Sequence, residues 1–149
     1  MTTKKKIAIV TGGAGFIGSH LADALLEHDY EVRVIDNLVA GKREQVPEGA
    51  VFFEADIRDV GALDRIFSGA NIVFHLAALP RVEYTIQNPA ETHDVNVTGT
   101  LNVLNSAKNA GVSRVVFASS AAIYGDNQKC HLNEDYFPSP LTPYALHKY

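Results

Sequence analysis

Short apolar runs alternate with longer amphipathic segments over most of the chain. The runs are rich in valine and isoleucine, and their length is that of buried strands. They lie at residues 6–10, 32–35, 51–54, 72–76 and 115–118. Helical spacing of apolar residues predicts helices at 16–29, 60–67 and 89–110. The apolar side of the last helix is predicted to consist of Val95, Leu101, Val103 and Leu104.

This alternation predicts an α/β fold with a doubly wound parallel sheet. Strands that are apolar throughout support the prediction, because both faces of such a sheet are covered by helices. The length of 149 residues fits one domain, residues 1–149. A polar loop is predicted at 37–49, and Thr142 followed by Pro143 is typical of a helix start. Ligands of such folds bind at the carboxyl ends of the strands.

Composition narrows the possible partners. The formal net charge of -4 gives no attraction to nucleic acid or to an anionic membrane surface. No apolar stretch approaches the ~20 residues of a membrane helix. The single cysteine, Cys130, cannot form an internal disulfide, which fits a reducing compartment. The start of the chain has only four apolar residues in a row, 7–10, which is too short for a signal peptide, so a cytoplasmic protein is expected. The histidines lack metal-ligand spacing, so no metal site is predicted.

A glycine-rich turn at 11–18 follows the first strand and opens the first helix. A pyrophosphate needs free backbone N–H groups and the positive end of a helix, and a Cβ atom would block its approach. Two spacings fit a dinucleotide site: Gly13, Gly15 and Gly18, or Gly12, Gly15 and Gly18. A glycine-rich turn without a ligand is the alternative.

Acidic residues end the next two strands. Asp36 could accept both hydroxyls of the adenosine ribose and would repel a 2′-phosphate, which favours NAD over NADP. The alternative is an Asx turn with Asn37. Asp56 and Ile57 could hold and flank the adenine, unless Asp56 caps the following helix.

Tyr144 and Lys148 are four residues apart on the last predicted helix and so share one face. A tyrosine can act as a base near neutral pH only beside a positive charge, which Lys148 would supply. Ser120, at the end of the fifth strand, could share a proton with a substrate oxygen. A surface pair without chemistry is the alternative for Tyr144 and Lys148.

The chain resembles the extended branch of the short-chain dehydrogenase/reductase family, the nucleotide-sugar epimerases and dehydratases. The resemblance rests on TGGAGFIGSHL at 11–21, DNL with GKRE at 36–38 and 41–44, DIRD at 56–59, FHLAA at 74–78, VNVTGT at 95–100, SSAAIYG at 119–125 and SPLTPYALHK at 139–148. It implies a Rossmann-like fold, NAD as cofactor and a catalytic set of Ser120, Tyr144 and Lys148. The implied cofactor-binding residues are Gly12, Gly15, Phe16, Ile17, Gly18, Asp36, Asn37, Asp56, Ile57, Leu76, Ala77, Ala78, Tyr144 and Lys148.

The residues after Ser120 narrow the implied activity. In the family, sugar 4,6-dehydratases have an Asp-Glu pair here, UDP-glucuronate decarboxylases a Glu and GDP-mannose 3,5-epimerases a Cys. This chain has Ala121 and Ala122. This leaves 4-epimerases and simple reductases. The DNL and GKRE segments and NVTGT most resemble UDP-glucose or UDP-N-acetylglucosamine 4-epimerases. A nucleotide-sugar reductase or decarboxylase and a non-catalytic NAD sensor remain open.

The resemblance also implies that later strands and the sugar-nucleotide domain are absent from these 149 residues. We then expect a truncated chain with little or no epimerase activity alone and with its fifth strand as an exposed edge. The implied partners are a UDP-sugar, contacted by Ser120, and in the parent enzyme a second copy. Arg81 and Tyr84 follow the fourth strand, where they could contact a substrate or a cofactor phosphate. His75 is expected to be a core histidine. Asn96 is expected either to hydrogen-bond to the backbone of the active site or to have a structural role in its own helix.

Overall fold

The computed structural model describes residues 5–128 and 131–149; Cys130 and Lys4 lie outside this part. Five parallel strands form one sheet in the order β3-β2-β1-β4-β5. Their bounds are β1 Ile7–Thr11, β2 Glu31–Asp36, β3 Val51–Glu54, β4 Ile72–His75 and β5 Arg114–Phe117. The predicted doubly wound parallel sheet is thus confirmed, with each predicted strand present.

Helices cover both faces of the sheet. The α-helices are α1 Phe16–Glu27, α2 Val60–Phe67, α3 Val82–Gln87, α4 Pro89–His93, α5 Gly99–Asn109 and α6 Pro143–His147. Alternate residues of β1 face opposite layers: Ala8 and Val10 pack towards α1, whereas Ile7 and Ile9 pack towards α2 and α5. Two apolar cores result, one on each side of the sheet. No helix in the described ranges is long and apolar enough to cross a membrane.

The long helix predicted at 89–110 is not continuous. A π-helical turn, Asp94–Thr98, separates α4 from α5. Its predicted apolar side is partly wrong, because Leu101 and Leu104 are 55% and 44% exposed. The buried stripe consists instead of Val95, Gly99, Val103 and Ala107. Small residues occupy it because the helix lies close to the sheet, and a side chain at Gly99 would collide with Ile57.

Three short elements were not predicted, among them a 3₁₀ turn at Ala121–Tyr124. Helix α3 lies in a segment where Val82 and Ile86 are exposed, so no apolar stripe marks it. The predicted polar loop at 37–49 contains a single 3₁₀ turn, Arg43–Gln45. Asn88, which precedes Pro89, has an extended φ of -128° and separates α3 from α4, as the steric restriction before proline requires.

The sheet order places β1 between β2 and β4, so the chain reverses its winding direction at this point. Loops leaving the carboxyl ends of β1 and β4 diverge to opposite sides, and a crevice opens between them. The glycine-rich turn after β1 and the segment after β4 face each other across it.

Candidate active site

A cleft of about 510 Å³ lies at the carboxyl ends of the strands. It contains every residue predicted to bind the cofactor. Those residues are Gly12, Gly15, Phe16, Ile17, Gly18, Asp36, Asn37, Asp56, Ile57, Leu76, Ala77, Ala78, Tyr144 and Lys148. The volume falls within the roughly 300–1,000 Å³ that is usual for cofactor sites.

The glycine-rich turn has little room for side chains. Gly12 has a φ of +71°, and a Cβ there would lie 2.8 Å from the Ala77 backbone nitrogen. A Cβ on Gly18 would collide with the Gly12 carbonyl oxygen. Gly13 packs against the Val34 side chain and does not line the cleft. The spacing Gly12, Gly15 and Gly18 is therefore the one that faces the cleft.

Gly15 differs from its neighbours in conformation and surroundings. Its φ of -86° and ψ of 174° suit any residue. Within 4 Å a Cβ would meet only the Gly12 carbonyl oxygen, at 3.3 Å. Glycine at this position thus leaves open the space in front of the N-terminus of α1, where a helix presents unpaired N–H groups.

Asp36 joins the end of β2 to the glycine-rich turn. Its Oδ2 accepts a hydrogen bond of 3.0 Å from the Ala14 N–H, and its Oδ1 accepts one of 2.8 Å from the Leu38 N–H. The second bond forms an Asx turn, which was the alternative to a ribose site at Asp36. The prediction of that turn is correct for the local backbone. The carboxylate also lines the cleft, so the turn does not remove it from the predicted ribose site.

Asp56 is held by a charged network. The Arg58 guanidinium donates to both carboxylate oxygens of Asp56, at 2.9 and 2.7 Å, and to Asp94 at 3.1 Å. Asn37 Nδ2 donates a further bond of 3.1 Å to Asp56. The hydrogen bonds from Arg58 lower the pKa of Asp56 to about 2. The helix-capping alternative is wrong, because Asp59 accepts from the Ala62 N–H and caps α2.

Lys148 lies beneath the opposite end of the cleft. Its side chain is buried, and its Nζ donates a 2.8 Å hydrogen bond to the Ala118 carbonyl. The ammonium also lies 4.7 Å from the centre of the Phe117 ring. Burial lowers the pKa of Lys148 to about 8. Because Lys148 is held at the end of β5, a positive charge is fixed at the floor of the cleft.

Tyr144 and Ser119 line the cleft together with Lys148, and Ser120 follows Ser119 in the chain. Tyr144 lies on the single turn of α6, which begins at the predicted point: the Thr142 hydroxyl accepts from the Ala145 N–H at 3.1 Å. Ser120 Oγ accepts from the Ala122 N–H at 3.2 Å, but Ser120 does not line the cleft. Its neighbour Ser119 does, and donates a 2.7 Å bond to the Lys148 carbonyl.

Arg81 and Tyr84 do not line the cleft, and some residues that line it were not predicted. Arg81 is exposed at the start of α3 and outside the cleft. Tyr84 bonds Glu91 instead, at 2.7 Å. Residues lining the cleft without having been predicted are Ile35, Val39, Ala40, Gly41, Ala55, Arg58, Leu79, Pro80, Glu91, Val95, Ala118 and Ser119. Of these residues, Gly41 could have been recognised from the sequence, because it is a glycine. A side chain at this position would collide with Ala14.

A family model described as "NAD dependent epimerase/dehydratase family" matches residues 8–149. A UDP-glucose 4-epimerase of Streptomyces lividans is 40% identical over 143 residues, which are 94% of this chain and 44% of that protein. The chain spans about half the length of the curated relatives it matches.

Solved structures agree with these matches. A UDP-glucose 4-epimerase of Thermotoga maritima, solved with UDP-glucose, is 41% identical with a TM-score of 0.91, over 96% of this chain and 48% of that one. A UDP-glucose 4-epimerase of Thermus thermophilus, solved with NAD, is 42% identical with a TM-score of 0.89, over 95% of this chain and 47% of that one.

Proposed function

We propose that the chain forms the cofactor-binding part of a UDP-hexose 4-epimerase. The premise is that it belongs to the NAD dependent epimerase/dehydratase family. The observation that carries the proposal is one continuous cleft across the carboxyl ends of the strands, with Asp36 and Asp56 on one side of the glycine-rich turn and Tyr144 with Lys148 on the other. This arrangement fits a dinucleotide whose pyrophosphate lies on the turn and whose nicotinamide reaches the tyrosine. The related proteins named above act on or bind UDP-glucose or NAD.

The cleft residues suit NAD in shape and charge. Gly12, Gly15 and Gly18 leave room for a pyrophosphate against the N-terminus of α1. We assign the adenosine ribose to the Asp36 carboxylate, which still has lone pairs after accepting its two backbone bonds. The adenine then lies by Asp56 and Ile57, and the nicotinamide lies by Leu76, Ala77 and Ala78.

The proposed chemistry needs few protein groups. NAD, when bound, would supply a reversible acceptor for the hydride of the sugar C4. Tyr144, as phenolate, takes the proton of the 4-hydroxyl, and the charge of Lys148 favours that phenolate. Ser120 relays the proton; since its oxygen already accepts from the Ala122 N–H, its own hydrogen is free to be donated.

The 4-epimerase is favoured over other chemistry of the family. Ala121 and Ala122 follow Ser120 and carry no acid, base or thiol. Elimination of water or proton transfer at carbon would need such a group. Oxidation and reduction at one carbon need only Tyr144, Lys148 and Ser120. A sensor without catalysis would have no need of the complete set of Ser120, Tyr144 and Lys148.

The test is titration of the chain with NADH and NADPH, followed by nicotinamide fluorescence. We expect NADH to bind and NADPH to bind at least tenfold more weakly, because a 2′-phosphate would meet the Asp36 carboxylate. The Gly15→Ala variant should keep its fold but lose NADH affinity, since its methyl group would occupy the pyrophosphate position.

Gly61→Ala is the matched control. Gly61 lies in α2 outside the cleft, and a Cβ there meets nothing closer than 3.5 Å. This change should leave NADH affinity unaltered and stabilise the helix by about 0.5–1 kcal/mol. Equal NADH affinity in wild type and Gly15→Ala would overturn the proposed pyrophosphate site.

A further inference from the structure

His75, at the end of β4, is fully buried and hydrogen-bonded through both ring nitrogens. Its Nδ1 lies 2.6 Å from the hydroxyl oxygen of Thr11 on β1, and its Nε2 lies 2.8 Å from that of Thr100 on α5. The ring therefore joins the centre of the sheet to a helix. The proposed chemistry does not use this histidine.

The neighbouring bonds determine which nitrogen carries the proton. The Thr100 hydroxyl donates its only hydrogen to the Asn96 carbonyl, at 2.6 Å, so it can only accept from His75. Nε2 therefore carries the hydrogen and Nδ1 is a bare acceptor. The Thr11 hydroxyl then donates to Nδ1, which leaves the Thr11 oxygen to accept from the Ala77 N–H at 3.3 Å.

These hydrogen bonds form one relay, which passes through Thr11, His75 and Thr100. It starts at residues Leu76–Leu79, which form one wall of the cleft. Ala77 N–H is its first donor, and the Asn96 carbonyl is its last acceptor. The Asn96 side chain returns to the same wall: its Oδ1 accepts from the Leu79 N–H at 2.8 Å, and its Nδ2 donates to the Leu79 carbonyl at 3.1 Å. The wall is thus fixed at two points, Ala77 and Leu79.

We propose that His75, as the neutral Nε2–H tautomer, is a positioning residue that holds the Leu76–Leu79 wall of the cleft through Thr11 and Asn96. Packing alone would not require a histidine here, because a buried polar ring is costly unless both nitrogens are satisfied. A second proton on the ring would reverse the bond with Thr11, since Nδ1 would then donate to the hydroxyl oxygen that also accepts from Ala77 N–H. Burial, with the nearby charge of Lys148, lowers the pKa of His75 to about 4.

The tautomer is tested directly by ¹⁵N NMR of the histidine rings, with His75 assigned from a His75→Gln spectrum. The expected result near neutral pH is a protonated Nε2 and an unprotonated Nδ1. A protonated Nδ1 in the folded chain would overturn the proposal. This measurement does not depend on cofactor binding.

The positioning role rests on the proposed function and is tested with Thr11→Val and Thr11→Ser. The valine matches threonine in shape but has no hydroxyl, whereas serine keeps the hydroxyl. We expect Thr11→Val to weaken NADH binding about threefold to tenfold and to speed hydrogen exchange at the Ala77 amide. Thr11→Ser should restore both. Thr100→Val, which breaks the relay at its other end, replaces Thr11→Val if that variant does not fold.

The two proposals can fail separately. Unchanged Ala77 exchange in Thr11→Val overturns the positioning role, whatever the affinity for NADH. If wild type binds no NADH while Ala77 exchange responds as expected, the proposed function fails and the positioning of the wall stands. A loss of thermal stability with unchanged NADH affinity and unchanged Ala77 exchange would assign Thr11 to folding alone.

Discussion

Lys148 combines a buried charge with few compensating contacts. One carbonyl oxygen and the face of the Phe117 ring are the polar and aromatic partners of its ammonium that the structure describes. A buried cation without a carboxylate is costly for folding, and the lowered pKa is the sign of that cost. Retention of the charge fits a residue kept for its effect on Tyr144.

This cost should appear as a pH dependence of stability. The pKa of Lys148 is about 8 in the folded chain, against 10.5 for an ordinary lysine. Between these values the unfolded chain binds more protons, so the contribution of Lys148 to the free energy of unfolding rises with pH. Below pH 8 the full penalty is present; above 10.5 it is gone.

We therefore expect Lys148→Met to gain stability relative to wild type at pH 7, with the difference falling by at most about 3 kcal/mol between pH 8 and 10.5. Urea unfolding of both chains across this range measures it. Taking the difference cancels the titration of the other tyrosines, and making both measurements in a Tyr144→Phe background removes that of Tyr144. A difference that does not change with pH would contradict the buried-charge account.

At the scale of single elements, α6 depends on its first residue. A helix of five residues, Pro143–His147, has few internal hydrogen bonds, so the Thr142 cap stabilises a large part of it. The sequence Thr-Pro predicted this start because both residues have known roles there. Helix α3 and the π-helical turn had no such signal, since neither burial pattern nor caps mark them.

Thr142→Ala should loosen α6 locally. Loss of a threonine cap costs about 1 kcal/mol, which corresponds to roughly fivefold faster amide exchange at Ala145 if exchange occurs by local opening. Thr142→Ser should behave as wild type. Asp59→Ala removes the equivalent cap of α2 and should leave Ala145 exchange unchanged. Identical Ala145 exchange in all variants would refute the dependence on the cap.

At the scale of the whole molecule, the sequence predicted the strands and their parallel sheet better than the buried faces of the helices. The strands and the span of α2 follow from apolar periodicity, which is a local property. The faces of α5 did not follow, because Leu101 and Leu104 look like core residues until the small residues Gly99 and Ala107 are seen against the sheet. The predicted pairing with a second copy remains a prediction, for which these exposed leucines are the natural candidates.

The edge strand β5 exposes apolar side chains. It pairs only with β4 in the described sheet, and Val116 and Phe117 are 43% and 37% exposed. An unpaired apolar edge promotes association with other chains. We expect concentration-dependent self-association of the chain, measurable by analytical ultracentrifugation, and its suppression by Val116→Lys. Val60→Lys is the control: Val60 is 46% exposed but lies on α2, away from a sheet edge, so this change should have the smaller effect.

The winding reversal between β1 and β4 divides the cleft between two stretches of chain. Residues 12–58 supply the glycine-rich turn, Asp36 and Asp56. Residues 76–148 supply the facing wall, Tyr144 and Lys148. Under the proposed assignment, adenosine lies on the first stretch and nicotinamide on the second. A whole dinucleotide then contacts both stretches and holds them together. The chain should therefore resist mechanical extension more strongly with NAD bound. AMP, which reaches only the first stretch, should leave that resistance nearly unchanged.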